Sequence, residues 1–199
     1  MSTAIPSAKH FDRQLEKGRA GESLIALWLV RRGFDVLPAY EIENSAYKGP
    51  RLFSARGNLV APDLLAFRLF QGAPDVRWCE AKSKAAFTWH RLSETYQDGI
   101  DKHYWVDYLA LRDRMPWPLW LLFLHGPGQV AKDNPEDMIP PIGLFGGEVQ
   151  RLAGCIHHES DKWGKGGMVY WTADDLCHKG CPLASWQEVS DAGVSQVTT

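Results

Sequence analysis

LVAPDLLAFRLFQGAPDVRWCEAKSK, residues Leu59 to Lys84, contains two apolar runs with charged groups at their centres and a turn between them. The first run, Leu59 to Phe67, carries Asp63 amid Val60, Leu64 and Leu65; the second, Arg77 to Lys84, carries Glu80 and Lys82. Gln71-Gly72 and Ala73-Pro74 are turn signals, so the stretch reads as strands near 59–68 and 76–82 joined in an antiparallel hairpin. Side chains alternate faces along a strand, so Glu80 and Lys82 share one face while Cys79 and Ala81 point to the other. A turn centred between Gln71 and Gly72 sets Asp63 opposite Glu80. Pro62 has no N–H to donate and suits a strand bend or edge where the ladder opens.

Two carboxylates at one spot repel, and each is pushed toward its neutral form unless a positive group sits between them. A hard dication with oxygen ligands resolves the conflict: Mg²⁺ takes one or two carboxylates, and the Ala81 carbonyl is a further oxygen beside them. Lys82 next to such a centre can orient a water and offset charge building on a phosphate. The simpler alternative makes Asp63 a turn acid and Glu80 with Lys82 an exposed pair worth little. It does not account for acids set among Leu59, Val60, Leu64 and Leu65.

Working outward, residues 11–32 read as a helix with Leu24, Leu27, Trp28 and Arg31 at spacings of three and four, stopped at Gly33. Phe34 to Ala39 reads as a short strand, and residues 40–58 as a polar loop or irregular hairpin with Lys48, Arg51 and Arg56. The stripe Leu92, Tyr96, Ile100, Tyr104, Tyr108, Leu111 predicts one helix over about 90–114. Pro116 and Pro118 end it, and Leu119 to His125 reads as a buried strand. The order helix, three strands, helix, strand predicts an α/β domain round a mixed sheet. Further on, strands are expected at Pro141–Phe145 and Gly167–Trp171, and a short helix opening at Asp174-Asp175.

Pro62-Asp63 followed, after sixteen residues, by Glu80-Ala81-Lys82 resembles the signature of the PD-(D/E)XK nuclease superfamily. The resemblance implies a restriction-endonuclease-like core, a central mixed β-sheet flanked by helices (αβββαβ), over residues 10–125. A C-terminal extension (126–188) would pack on it, and 189–199 would be a disordered tail. It also implies catalytic Asp63, Glu80 and Lys82, with Mg²⁺ (Mn²⁺ substituting) held by Asp63, Glu80 and the Ala81 carbonyl. Family members often add an acid from the first helix; Glu22, in Gly18-Arg-Ala-Gly21-Glu22, matches that role and shares a face with Ile25, Ala26 and Leu29. Some branches carry a glutamine and a tyrosine four apart on the helix after the lysine; here Gln97 is followed by Asp101, which leaves the branch open.

Lys84, Arg91, Lys102, Arg51 and Arg56 are the candidate DNA contacts, since phosphates are met by such cations. The overall charge of −2 argues against a non-specific polyanion binder, yet residues 1–60 hold 9 basic against 6 acidic groups and residues 116–199 hold 5 against 10. DNA is the expected partner ahead of RNA, with a homo-oligomer left open. At 45% hydrophobic residues the 199-residue chain can bury a real core. No run approaches the length of a membrane span, so a soluble, cytoplasmic protein with reduced cysteines is expected. Cys155, His158, Cys177 and Cys181 have the softness and spacing for a tetrahedral zinc, with plain buried thiols as the simpler reading. The function expected is a metal-dependent DNA endonuclease; the other class is a non-catalytic nucleic-acid-binding or interaction module on the same fold.

Overall fold

Gln71 and Gly72 both adopt left-handed backbone, at φ 52° and 81°. Two such residues in succession give the type I′ turn, whose twist matches that of the strands it joins. In the computed structural model, which describes residues 8–39, 51–54, 57–128, 130–131, 133–164 and 166–194, this turn connects two long strands. Their register pairs Phe70 with Ala73 and Leu64 with Cys79. Continued by one residue, it sets Asp63 against Glu80, as the turn chemistry predicts.

The elements in chain order are α1 (Ala8–Arg31), β1 (Asp35–Pro38), β2 (Arg51–Ser54), β3 (Gly57–Val60), β4 (Leu64–Phe70), β5 (Ala73–Lys84), β6 (Thr88–His90), β7 (Thr95–Asp101), α2 (Lys102–Arg112), β8 (Leu119–His125), β9 (Gly143–Glu148), α3 (Val149–Ala153), β10 (His158–Ser160), β11 (Met168–Thr172) and α4 (Trp186–Val194). The central sheet runs β1-β4-β5-β8-β9, with β5 and β8 parallel and the other pairs antiparallel. The protein is thus mixed α/β, with a central mixed sheet flanked by helices and α1, β1, β4, β5, α2, β8 in the predicted order. A second sheet, β10-β11-β7-β6, packs beside it, and β2-β3 is a separate hairpin.

The central sheet divides the core in two. One face holds Phe87, Trp105, Tyr108, Leu121, Phe123, Phe145 and Trp171; the other holds Ile25, Leu29, Leu64, Cys79, Ala81, Leu122 and Val189. Alternation along β5 therefore sends Cys79 and Ala81 toward α1, and Glu80 and Lys82 toward α2. Among the described residues no helix is long and apolar enough to cross a membrane.

Three expectations are corrected. The helix predicted over 90–114 begins only at Lys102; residues 88–90 and 95–101 are strands paired with each other, and β7 also pairs with β11. Spacings of four are even, so they satisfy a strand's alternation as readily as a helix's turn, and Leu92, the first residue of the supposed stripe, is 93% exposed. The short helix at Asp174-Asp175 is a single turn closed by the Asp175 side chain, which accepts from the N–H and hydroxyl of Thr172. The disordered tail does not start at 189: α4 continues to Val194, with Val189 and Ala192 buried. Arg56 and Lys48 lie outside the described residues.

Candidate active site

Asp63 is held from both its backbone and its side chain. Its carbonyl accepts from the Ala39 N–H at 2.8 Å, which anchors the start of β4 against the end of β1. Its Oδ2 accepts from the Ala81 N–H at 2.9 Å. The ladder between β4 and β5 has ended there, behind Pro62, and the carboxylate takes the amide that a further strand residue would have used. Just upstream, the Val60 N–H donates to Asp107 Oδ2 at 3.1 Å, tying this approach to α2.

Glu80 comes from β5 and is 2% exposed. One of its oxygens, Oε1, is in close contact with the Lys82 ammonium two residues on. The other, Oε2, is buried and makes no hydrogen bond of ordinary length among the described residues, with the Tyr108 hydroxyl the polar group that faces this carboxylate. A buried polar atom without a full partner costs about 1–3 kcal/mol, more for a charged group, so this carboxylate oxygen is suited to a positively charged ligand.

The electrostatics follow from this crowding. Burial, reinforced by the Glu80 charge and to a smaller degree by Glu22, pushes the Asp63 carboxyl from 3.8 up to about 8, against the pull of Lys82 and the Ala81 amide. Burial alone would pull Lys82 toward neutrality, but the Glu80 and Asp63 carboxylates outweigh it and hold the amine above the ordinary lysine value. A hard cation fits these donors: it would satisfy Glu80 Oε2 and let Asp63 ionise at neutral pH. Glu22 is half-buried on α1 and near enough for its charge to act on Asp63. It does not join Asp63 and Glu80 in a set of three with all ligand atoms within 4.8 Å; among the described residues only His90, His157 and His158 meet that measure.

Two aromatic residues belong to the site although the sequence reading placed them only in an apolar stripe. The Lys82 ammonium lies 5.8 Å from the centre of the Tyr104 ring. The buried Tyr108 hydroxyl faces the Glu80 carboxylate; burial first, then the Glu80 charge and the contact with that carboxylate, push its phenol upward. Their spacing of four on the helix after the lysine was the available signal, since i and i+4 share a helix face.

Three of the candidate DNA contacts, Lys84, Arg91 and Lys102, are each engaged with acidic side chains. Lys84 donates to the Gly99 carbonyl at 2.7 Å and lies 3.1 Å from Asp98 Oδ1, in a network with the fully buried His125, whose Nε2 is 3.2 Å from Asp98 Oδ2. Burial pushes the Asp98 carboxyl up, but Lys84 and His125 reverse this and leave it below the ordinary value. Arg91 pairs with Asp133 at 3.1 Å, and Lys102 with Asp161 and Glu159 at 2.7 and 2.8 Å. Arg51 starts β2.

The proposed zinc ligands are not brought together. Cys155, Cys177 and Cys181 are free thiols, the first two half-buried and pushed upward chiefly by that burial. His158 lies instead with His90 and His157. The reason is topological: β10 pairs with β11 and carries His158 to Tyr170, while Cys177 and Cys181 follow the turn after β11.

No protein-family model and no curated protein matches the sequence. Among solved structures, the chain is similar to Hjc, a Holliday junction resolvase from the archaeal hyperthermophile Archaeoglobus fulgidus. The TM-score is 0.45 at 8% identity, over 80% of this chain and 91% of that one. It is also similar to D212, a nuclease from a fusselovirus, with a TM-score of 0.38 at 12% identity over the whole of both chains.

Proposed function

We propose that the chain is a metal-dependent nuclease of the PD-(D/E)XK type that hydrolyses phosphodiester bonds within DNA. The observation that carries this reading is the buried Glu80 carboxylate, set against Asp63 and beside Lys82. A structural role explains the trio poorly: an apolar side chain in place of Glu80 would remove the repulsion and the desolvation together.

In this reading Asp63, Glu80 and the Ala81 carbonyl hold Mg²⁺, or Mn²⁺ in its place, and Glu22 adds negative charge from α1. When bound, the dication supplies Lewis-acid polarisation of the scissile phosphate. Lys82, kept charged by its two carboxylate neighbours, donates to the oxygens on which negative charge accumulates, and it is already oriented before substrate arrives. Tyr104 fixes the position of that ammonium through its ring face. Since Lys84, Arg91 and Lys102 are each paired with an acid, they serve DNA binding only by exchanging those partners for phosphate.

The test is incubation of the full chain with linear, supercoiled and branched DNA, and with RNA, in Mg²⁺, Mn²⁺ or EDTA. Cleavage of DNA that EDTA abolishes is expected. Glu80→Gln and Lys82→Ala should each lower the rate at least about a hundredfold, the loss typical of one preorganised electrostatic group. Cleavage at full rate in both variants would falsify the assignment. Tight DNA binding with no cleavage in either metal would instead make the protein a binding module.

A further inference from the structure

Three imidazoles meet in a cluster that shares no residue with Asp63, Glu80 and Lys82. His90 ends β6, His157 precedes β10 and His158 begins it. In the four-stranded sheet β10-β11-β7-β6 these strands are the two opposite edges. Yet the rings of His90 and His158 stack with centroids 4.6 Å apart, and each lies within 5.4 Å of the His157 ring. The sheet therefore curls until its edges touch, and the histidines are the contact. Gly99 in the middle of β7 permits the curl: a Cβ there would stand 2.3 Å from the Val169 carbonyl oxygen on β11.

The surroundings are ordered as ligand shells are ordered. Ser93 Oγ lies 2.6 Å from His90 Nδ1 and 3.1 Å from His157 Nε2, and is itself fixed by Thr95 Oγ1 at 2.8 Å. One hydroxyl thus orients two of the three rings, as outer-shell partners orient the imidazoles of metal sites. The third ring is clamped between His90 and Tyr170, stacked on the latter at 4.7 Å, and its buried Nδ1 has no hydrogen-bond partner among the described residues. One nitrogen from each ring falls within 4.8 Å of the others.

We propose that His90, His157 and His158 bind a borderline transition-metal dication, zinc foremost, which clasps the two edges of this sheet together. Three nitrogen donors without a carboxylate select zinc, nickel, cobalt or copper over magnesium or calcium. Zn–N bonds of about 2.0–2.1 Å in tetrahedral geometry bring the donors to roughly 3.4 Å of one another, a separation that ring rotation reaches from this arrangement. Three protein ligands leave the fourth position for water or another small donor. The site is independent of the nuclease reading, because its donors are softer and its residues are different.

Zinc titration followed by calorimetry and elemental analysis tests the proposal. It uses the full chain carrying Asp63→Asn and Glu80→Gln, so that metal at the carboxylates does not count. One equivalent is expected, with affinity falling at least about tenfold on adding His158→Ala or Ser93→Ala. X-ray absorption of the zinc-loaded, otherwise unaltered double variant needs no histidine substitution, and should show three imidazoles round the metal. Less than a tenth of an equivalent bound, unchanged affinity in both added variants, or fewer than two imidazoles at the metal overturns the site. None of these results depends on whether the protein cleaves DNA.

Discussion

Asp63 makes the strongest residue-scale prediction, because the fold favours its neutral form. Its carboxyl moves from 3.8 to about 8 through burial and the Glu80 charge, so folding takes up a proton across that interval. Its contribution to stability is fully present below the unfolded value and is lost as pH rises toward and through about 8. In EDTA, the melting temperature of the wild type relative to Asp63→Asn should decline steadily from pH 4 to pH 8. The underlying stability difference changes by at most about 1.4 kcal/mol per pH unit. Asp75 titrates the other way, since Arg77 and Arg68 hold its carboxyl low, and its loss belongs to more acid pH. Magnesium should reverse the trend at pH 8 in the wild type only, adding about 2.7 kcal/mol at a hundred times its Kd. A pH-independent difference between the two proteins would show that Asp63 is an ordinary ionised side chain. Much of this was legible in the sequence, because alternation and turn position place Asp63, Glu80 and Lys82 on one face. The Tyr104 and Tyr108 contacts were not, since they depend on how α2 crosses the sheet.

At the scale of elements, the position of Glu22 relative to Asp63 depends on how closely α1 approaches β5. Gly21 makes that approach possible: a Cβ there would lie 2.4 Å from Ser83 Cβ and 2.7 Å from its Oγ. Ser83 sits on the α1 side of β5, next in sequence to Lys82, so widening this contact moves Glu22 away from Asp63 as well. Gly21→Ala should cost about 1–3 kcal/mol in chemical denaturation, the usual penalty of overpacking. Ser83→Gly, which removes the opposing side chain, should recover most of that loss in the double variant. Additive losses would mean that the two positions do not meet. The hairpin register was readable beforehand because Gln71-Gly72 dictates the turn and Pro62 ends the ladder. The residues from 88 to 101 were not, because their even spacing suits two periods and their strand partner β11 lies some seventy positions downstream.

For the whole molecule, the question is whether the C-terminal segment is an accessory or part of the folding unit. The second core lies between the central sheet and two helices, α1 and α4, with Ile25 and Leu29 from one and Val189 from the other. The chain leading into α4 is stitched to the sheet: Leu144 donates to the Ala184 carbonyl at 2.9 Å, and Leu183 donates to the Leu144 carbonyl at 2.8 Å. Gly193 lets α4 lie against Leu24. The apolar seam of α4 is narrow, Val189 and Ala192 among Glu188, Ser190 and Asp191, which is why the sequence there reads as a polar tail. Its energetic weight is nevertheless substantial, because full burial of a valine-sized side chain contributes about 1.5–3 kcal/mol. Truncation after Ser185 removes Val189 and Ala192, uncovers Ile25 and Leu29, and opens one side of the sheet that carries Glu80. Against a typical total of about 5–15 kcal/mol, that loss is a large fraction. The truncated chain should therefore melt well below the full chain, with a shallower denaturant slope as its native state becomes looser. Lys82 should also lose its fixed orientation, so DNA cleavage should fall even at temperatures where secondary structure persists. A truncated chain with unchanged melting temperature and slope would mean that residues 10–125 with the remaining extension fold without α4.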